Sequence, residues 1–265
     1  MPSDIFYMID ILCNEKCTKC SHWKHKSIKK YNIDYVINFV KQIESASEFC
    51  IVGGEPLLYS EEIIKCAKLL KQDIRLIIIT NGIKATEEFL QNISNYNVHI
   101  IFSIDTINKN FWKSVRGNDS YDIVMKTFNS ARKLLNPHQL SVQSVRSKNT
   151  LSHIIEVEKM CKDYGIYHSI QDYIDDFGGQ WEAIPKEKYN NISCQAYKFN
   201  LSIMANGDIK TCFQQEKIAG CENPIGHITE SYSEIFNRDY TNFVLNKMKY
   251  CNLSCKVLKC NHKTV

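Results

Sequence analysis

No apolar run in the chain approaches the roughly 18 to 20 residues that a helix needs to cross a bilayer. The densest β-branched stretch, RLIIIT at 75–80, is far too short. No basic leader precedes the apolar residues of MPSDIFYMIDILCNEK, and Asp10 breaks that run, so a secretory signal peptide is not expected and the chain is assigned to the cytoplasm. Collagen-like and low-complexity segments are also missing. With only 5 prolines and 10 glycines among 265 residues, the composition excludes fibrous and disordered classes. Neither sign of charge dominates: 33 basic against 29 acidic residues give a formal charge of +4. The one dense basic run, KHKSIKK at 24–30, reads as a solvated loop rather than a phosphate-binding patch, which leaves nucleic acid without support.

Cysteine, by contrast, is abundant, at 12 residues. Disulfides rarely persist in a reducing compartment, so this number points to metal or iron-sulfur chemistry. The first group is Cys13, Cys17 and Cys20; the second is Cys194, Cys212, Cys251, Cys255 and Cys260. Cys50, Cys66, Cys161 and Cys221 stand apart. Cys66 and Cys161 fall on helical apolar stripes and read as small buried hydrophobes.

Short β-branched runs alternate with helical patterns through the first two-thirds of the chain. Strands are expected at 5–12, 48–54, 74–80, 98–105, 140–145 and 167–174, with helices near 34–46, 60–72, 85–94, 121–135 and 151–165. Such a β-α repeat implies parallel strands joined by right-handed crossovers, an incomplete barrel or wound sheet whose post-strand loops converge on one face. After residue 175 the pattern changes. FNLSIMANGDIKTCF reads as a hairpin turning at Asn206-Gly207, and a helical stretch at 232–250 leads to the last cysteines.

CNEKCTKC, residues 13–20, places three thiols at C-x3-C-x2-C directly after the first strand. Three is odd for disulfides and one short of a structural zinc site. Zinc would recruit His22 or His25 as a fourth ligand. A cubane 4Fe-4S cluster would instead take three thiolates and keep one iron open for a small chelating molecule. The spacing alone permits either.

The motif resembles the signature of the radical S-adenosylmethionine (radical SAM) enzymes, and Gly53-Gly54-Glu55-Pro56 after the second strand matches the family's GGEP motif. The resemblance implies an α/β fold, a partial (β/α)6 TIM-like barrel, with a 4Fe-4S cluster on Cys13, Cys17 and Cys20. It also implies SAM chelating the open iron through its amino and carboxylate groups. Gly53, Gly54, Glu55 and Pro56 would meet the SAM amino group. Asn81, Ser103, Asp105, Ser144, Arg146 and Asn149 would line the pocket, with Arg146 pairing with the methionyl carboxylate and Asp105 or Ser103 reaching a ribose hydroxyl or the amino group. The residue before the third cysteine is usually aromatic or apolar in the family; here it is Lys19, so Trp23 or another ring is expected to pack the adenine. A flavodoxin- or ferredoxin-type electron donor is implied as partner.

Cys194 and Cys212 bracket the hairpin, and Cys251, Cys255 and Cys260 return after the helical stretch. This resembles the auxiliary-cluster lobe called SPASM when it holds two clusters and Twitch when it holds one. The cysteines from 194 onward are too few for two four-thiolate clusters. One auxiliary 4Fe-4S cluster is expected on Cys194, Cys212, Cys251 and Cys255, with Cys260 competing for a place and a four-thiolate zinc ribbon as the alternative. The expected division is a radical SAM barrel at 1–184 and a small α+β auxiliary lobe of β-hairpin plus helix at 185–265.

The enzyme reading is reductive SAM cleavage followed by hydrogen abstraction, and the non-enzymatic alternative is a zinc-stabilised binding module. For substrate, the resemblance favours oxidation of a small polar sugar, cyclitol or nucleotide-linked metabolite. A peptide undergoing thioether formation, cross-linking or epimerisation is the alternative. Gln171, Asp172, Asp175, Arg146 and Trp181 are candidates to line the substrate side.

Overall fold

The structure, a computed structural model, describes residues 1–28, 30–174, 178–183 and 194–257. Six parallel strands alternate with helices as expected. They run β1 Asp4–Met8, α1 Ile33–Val40, β2 Glu48–Val52, α2 Ser60–Leu69, β3 Arg75–Thr80, α3 Glu87–Ile93, β4 Val98–Ser103, α4 Lys109–Arg116, α5 Tyr121–Leu134, β5 Leu140–Arg146, α6 Leu151–Asp163 and β6 Tyr167–Asp172. Local chemistry fixes the starts: the Asn32 side chain accepts from the Asp34 N–H at 2.9 Å and Thr86 from the Phe89 N–H at 3.2 Å, satisfying otherwise orphaned helix-start donors. Then follow α7 Ala196–Phe199, β7 Asn200–Ile203, β8 Asp208–Lys210, β9 Gly226–His227, α8 Tyr232–Phe236 and α9 Asp239–Met248. The helical stretch expected at 232–250 is thus two helices; a Ser231–Glu234 capping box starts the first.

The nine strands among the described residues form one open sheet in the order β6-β5-β4-β3-β2-β1-β7-β8-β9. β7 pairs parallel with β1, from Asp4↔Asn200 to Tyr7↔Ile203, before the hairpin to β8 turns the direction. The expected boundary near 184 falls in a stretch outside the described residues, and the strands on either side of it share this sheet. The hydrophobic core likewise runs from Tyr7, Phe49 and Phe102 to Leu201, Ile209 and Val244.

Burial alternates along β3 and β4. Leu76, Ile78 and Thr80, and Val98, Ile100 and Phe102, are buried, whereas Ile77, Ile79, Ile101 and Ser103 on the other face are only half-buried. The second face looks onto an interior that the open sheet leaves incompletely filled. At the strand C-termini that interior becomes a cavity. Among the described residues no helix is long and apolar enough to cross a membrane.

Candidate functional site

The loop after β1 carries the three cysteines and is tied at both ends by one carboxylate. Asp10 Oδ1 accepts from the Ile11 N–H at 2.7 Å and the Ile28 N–H at 3.0 Å, while Oδ2 accepts from Ser27 Oγ and the Tyr59 hydroxyl. Burial alone would raise the Asp10 carboxyl, but these donors outweigh it and hold it below its ordinary value. Midway, the loop lies on the C-terminal end of α4: the Lys16 N–H donates to the Arg116 carbonyl and the Thr18 N–H to the Val115 carbonyl. Gly117, at φ +72, ends α4 in the left-handed region, and a Cβ there would sit 2.2 Å from the Lys16 carbonyl oxygen.

Gly53-Gly54-Glu55-Pro56 packs against the opposite side of this loop. The Gly54 N–H donates to the Asp10 carbonyl and the Glu55 N–H to the Leu12 carbonyl, each at 2.8 Å. A Cβ on Gly53 would lie 2.1 Å from the Asp10 carbonyl oxygen, and one on Gly54 2.1 Å from that of Leu12. The protein's own close approach therefore requires both glycines, quite apart from any ligand. Pro56 opens a short 3-10 helix, Pro56–Tyr59, and is buried. Glu55 is an internal brace: Oε1 accepts from the Leu57 N–H and Thr80 Oγ1, and Oε2 from the Asn81 N–H. Burial pushes its carboxyl up to about 7 despite these donors.

Between these walls lies a cavity of about 180 Å³ lined by Cys13, Cys17 and Cys20, by Gly53, Gly54 and Glu55, and by Asn81, Ser103 and Arg116, among others. His22 and Trp23 also line it; the Trp23 indole donates to the Cys20 carbonyl at 2.9 Å. Burial pushes the Cys13 thiol up to about 12 and the Cys17 thiol up to about 11, with Arg116 opposing the rise at Cys17. The Cys20 sulfur accepts the His22 N–H at 3.4 Å, and Cys13 accepts that of Glu15.

Behind the cysteines runs a chain of charges of which sequence reasoning named Lys19 and Asp105 but missed Glu15 and Arg116. Ser120 Oγ donates to Glu15 Oε1 at 2.6 Å, Arg116 Nη1 lies 3.4 Å from Glu15 Oε2, Arg116 Nη2 lies 3.2 Å from Asp105 Oδ2, and Lys19 Nζ lies 2.5 Å from the same Asp105 oxygen. Burial favours a neutral Asp105, but Lys19 and Arg116 prevail and hold its carboxyl below the ordinary value. Lys19, the departure from the family's usual residue, thus has a partner inside the protein. Its ammonium also sits 5.4 Å from the Trp181 ring centroid. Residues 178–183 strap this corner: Cys20 bridges Gly178, the Gln180 N–H donates to the Thr18 carbonyl, and Trp181 Nε1 donates to Thr18 Oγ1 at 2.7 Å.

The other expected pocket residues lie farther along the sheet and are not among the cavity's lining. Ser144 is buried, bonding the Ile104 carbonyl and His168. Arg146 pairs with Asp172 at 2.7 Å, its neighbour in the β5–β6 register. Asn149 accepts the Glu182 N–H at 3.0 Å. Gln171 is half-buried on β6, and Asp175 lies outside the described residues.

In the second cysteine group, burial pushes the Cys212 thiol up, and Cys255, Cys194 and Cys251 push it the same way, so each of the three lies within electrostatic reach of Cys212. The Cys194 sulfur accepts the Ala196 N–H at 3.4 Å, and Cys212 accepts that of Gln214. The i to i+2 N–H···S turn of Cys13 and Cys20 thus recurs here. Cys260 lies outside the described residues. Cys66, Cys161 and Cys221 are core residues. Among the described residues, no three His, Cys, Asp or Glu side chains could hold a metal ion as they stand.

Residues 11–145, just over half of the chain, match the Radical SAM superfamily. Streptococcus suis SuiB bound to S-adenosylmethionine aligns over 92% of this chain and 68% of its own, with TM-score 0.74 and 16% identity. SuiB bound to precursor peptide SuiA aligns over 98% of this chain and 70% of its own, with TM-score 0.74 and 15% identity. The anSMEcpe structure with AdoMet and the Cp18Cys peptide aligns over 98% and 88%, with TM-score 0.68 and 18% identity. BtrN in complex with AdoMet and 2-DOIA aligns over 94% and 87%, with TM-score 0.59 and 15% identity. At such identities the likeness is one of fold. The curated protein sequences contain no match.

Proposed function

Because the chain belongs to the radical SAM superfamily, we propose that it is a cytoplasmic oxidoreductase that cleaves SAM reductively and oxidises a small polar substrate. The observation that carries the SAM reading is the single cavity that gathers Cys13, Cys17 and Cys20 with Gly53, Gly54, Glu55, Asn81 and Ser103. The donor set suits a 4Fe-4S cluster: three thiols come from one anchored loop, and two of their sulfurs accept backbone N–H groups, a feature that stabilises cluster thiolates. When bound on Cys13, Cys17 and Cys20 and reduced by a flavodoxin- or ferredoxin-type donor, such a cluster would supply the one electron needed for reductive cleavage of SAM and hydrogen-atom abstraction from substrate.

The chain's own residues bind, orient and enclose. Gly53 and Gly54 offer backbone at the cavity wall, Glu55 braces that wall against β3, and Lys19, Trp23 and Trp181 close the side where the family usually presents an apolar residue. Arg146, Gln171 and Asp172, at the C-terminal ends of β5 and β6, supply the polar groups that a hydroxyl-rich substrate needs. The second group is proposed to hold one auxiliary 4Fe-4S cluster on Cys194, Cys212, Cys251 and Cys255, in a lobe spanning 185–265. When bound there, that cluster would accept the second electron of the oxidation as the substrate radical loses a proton. The proximity of Cys194, Cys251 and Cys255 to Cys212 supports that reading.

A peptide substrate is the second reading, favoured by the alignment of 98% of this chain with SuiB bound to SuiA and with anSMEcpe bound to Cp18Cys. Deuterium transfer separates the two. Labelled sugars, cyclitols or nucleotide-linked metabolites should pass deuterium to 5′-deoxyadenosine and give a product about two hydrogens lighter. A product isomeric with the substrate, carrying one solvent deuterium when the reaction is run in deuterated water, would overturn oxidation in favour of epimerisation. Transfer from labelled peptides alone would establish the second reading.

A further inference from the structure

Arg116 is buried beside the cysteine motif at 2% exposure, a costly place for a guanidinium. It stands on the last turn of α4, a helix whose other polar residues, Lys109, Asn110, Lys113 and Ser114, are exposed. Its two terminal nitrogens divide their contacts. Nη1 reaches Glu15 Oε2 at 3.4 Å and the Cys17 sulfur at 3.9 Å, while Nη2 reaches Asp105 Oδ2 at 3.2 Å and bonds the Ser103 carbonyl. Nε has no partner among the described residues. Only a planar fork spans these groups at once; a lysine ammonium in the same place would reach one side or the other.

From this geometry we infer that Arg116 is a positioning residue for the first cluster, one that also sets how readily the cluster takes up its electron. The inference rests on the reading that Cys13, Cys17 and Cys20 carry that cluster. A cluster that accepts an electron gains a negative charge. A fixed cation at one of its sulfurs favours the reduced form, and a hydrogen bond to the sulfur acts in the same direction. Glu15, held against the same nitrogen, has the opposite sign, and Ser120 and Arg116 keep it in place. The Arg116–Glu15 pair is therefore a two-sided adjustment of one thiolate. Removing the cation should make reduction harder and removing the anion should make it easier.

The test uses the full chain, reconstituted anaerobically, as wild type, Arg116→Gln, Arg116→Lys and Glu15→Gln. Iron and sulfide analysis of the wild type is read first, and a wild type without cluster would refute the underlying reading itself. The variants are then compared by redox titration followed by electron paramagnetic resonance, the first cluster being assigned by the change in its signal on adding SAM. In Arg116→Gln the ratio of reduced to oxidised cluster at a fixed potential should fall about tenfold, equivalent to about 59 mV for a one-electron couple. Arg116→Lys should fall less, and Glu15→Gln should shift the ratio upward. If Arg116→Gln does not load iron, Glu15→Gln decides: an upward shift supports the inference and an unchanged ratio overturns it. Shifts of the same sign in Arg116→Gln and Glu15→Gln, or no shift in either, would reduce Arg116 to a structural brace.

Discussion

Replacing Gly54 with alanine tests whether the glycine pair is required by the protein's own packing. The backbone at Gly54 lies outside the left-handed region, so an alanine pays no conformational penalty there and only space is at issue. Its Cβ would meet the carbonyl oxygens of Leu12 and Ile11 at 2.1 and 2.3 Å and the Leu12 carbonyl carbon at 2.4 Å, whereas ordinary contact begins at 3.4 Å. All three are backbone atoms of the segment entering the cysteine motif, so relief requires that segment to move by about an ångström. Overpacking against atoms that cannot rotate away falls at the upper end of its usual range, about 3 kcal/mol. In a domain of this size each kcal/mol lowers the melting temperature by about 2–4 °C, which gives a fall of about 6–12 °C. Circular dichroism melts of the metal-free protein measure it. SAM cleavage by the reconstituted variant should fall as well, because the displaced segment leads into Cys13. Gly165→Ala is the control: nothing lies within 4 Å of its Cβ and φ is +65, so only the left-handed backbone cost of about 1 kcal/mol applies. A Gly54→Ala protein that melts and cleaves SAM as the wild type does would refute the packing argument.

Alanine at Cys13, Cys17 or Cys20 should abolish SAM cleavage, measured as 5′-deoxyadenosine after dithionite reduction, since the cluster loses a ligand; persistent cleavage would contradict their assignment. Alanine at Cys194 or Cys212 should spare part of the abortive cleavage while removing substrate-derived product, and full product formation would exclude a role for the second group. Asp105→Asn should lower stability at pH 7 by about 3–5 kcal/mol, because the buried Arg116 and the half-buried Lys19 lose their shared anion. Lys19 and Arg116 depress the Asp105 carboxyl below its ordinary 3.8, so its contribution is present above that value and lost as pH falls through the folded-state value. Denaturant melts should therefore show the deficit shrinking below about pH 4, and a gap that stays constant would count against the pairing.

The six parallel strands and their helices were legible because alternation and β-branched runs are local signals. α4 was not. Its buried face consists of Trp112, Val115 and Arg116, and a buried arginine erases the apolar stripe that a pattern search needs. Its end signals were present nonetheless: Asn108 caps the first turn and Gly117 the last. Missing α4 meant missing Arg116, and with it the role of Glu15, which looked like any charged residue between two cysteines. The hairpin at Asn206-Gly207 was readable from its turn, whereas the parallel pairing of β7 with β1 joins residues almost 200 positions apart and leaves no local trace. The cysteine spacing and the GGEP motif located the cavity. They could not reveal that Gly53 and Gly54 are fixed by contact with Asp10 and Leu12, since that reason is visible only once the two loops are packed together.

Anaerobic reconstitution followed by metal analysis and a SAM cleavage assay tests the central claim most directly. Two 4Fe-4S clusters predict about eight irons per chain with matching sulfide, and dithionite with SAM should yield 5′-deoxyadenosine and methionine. Stoichiometric zinc in place of iron, with intact SAM at the end of the incubation, would contradict it.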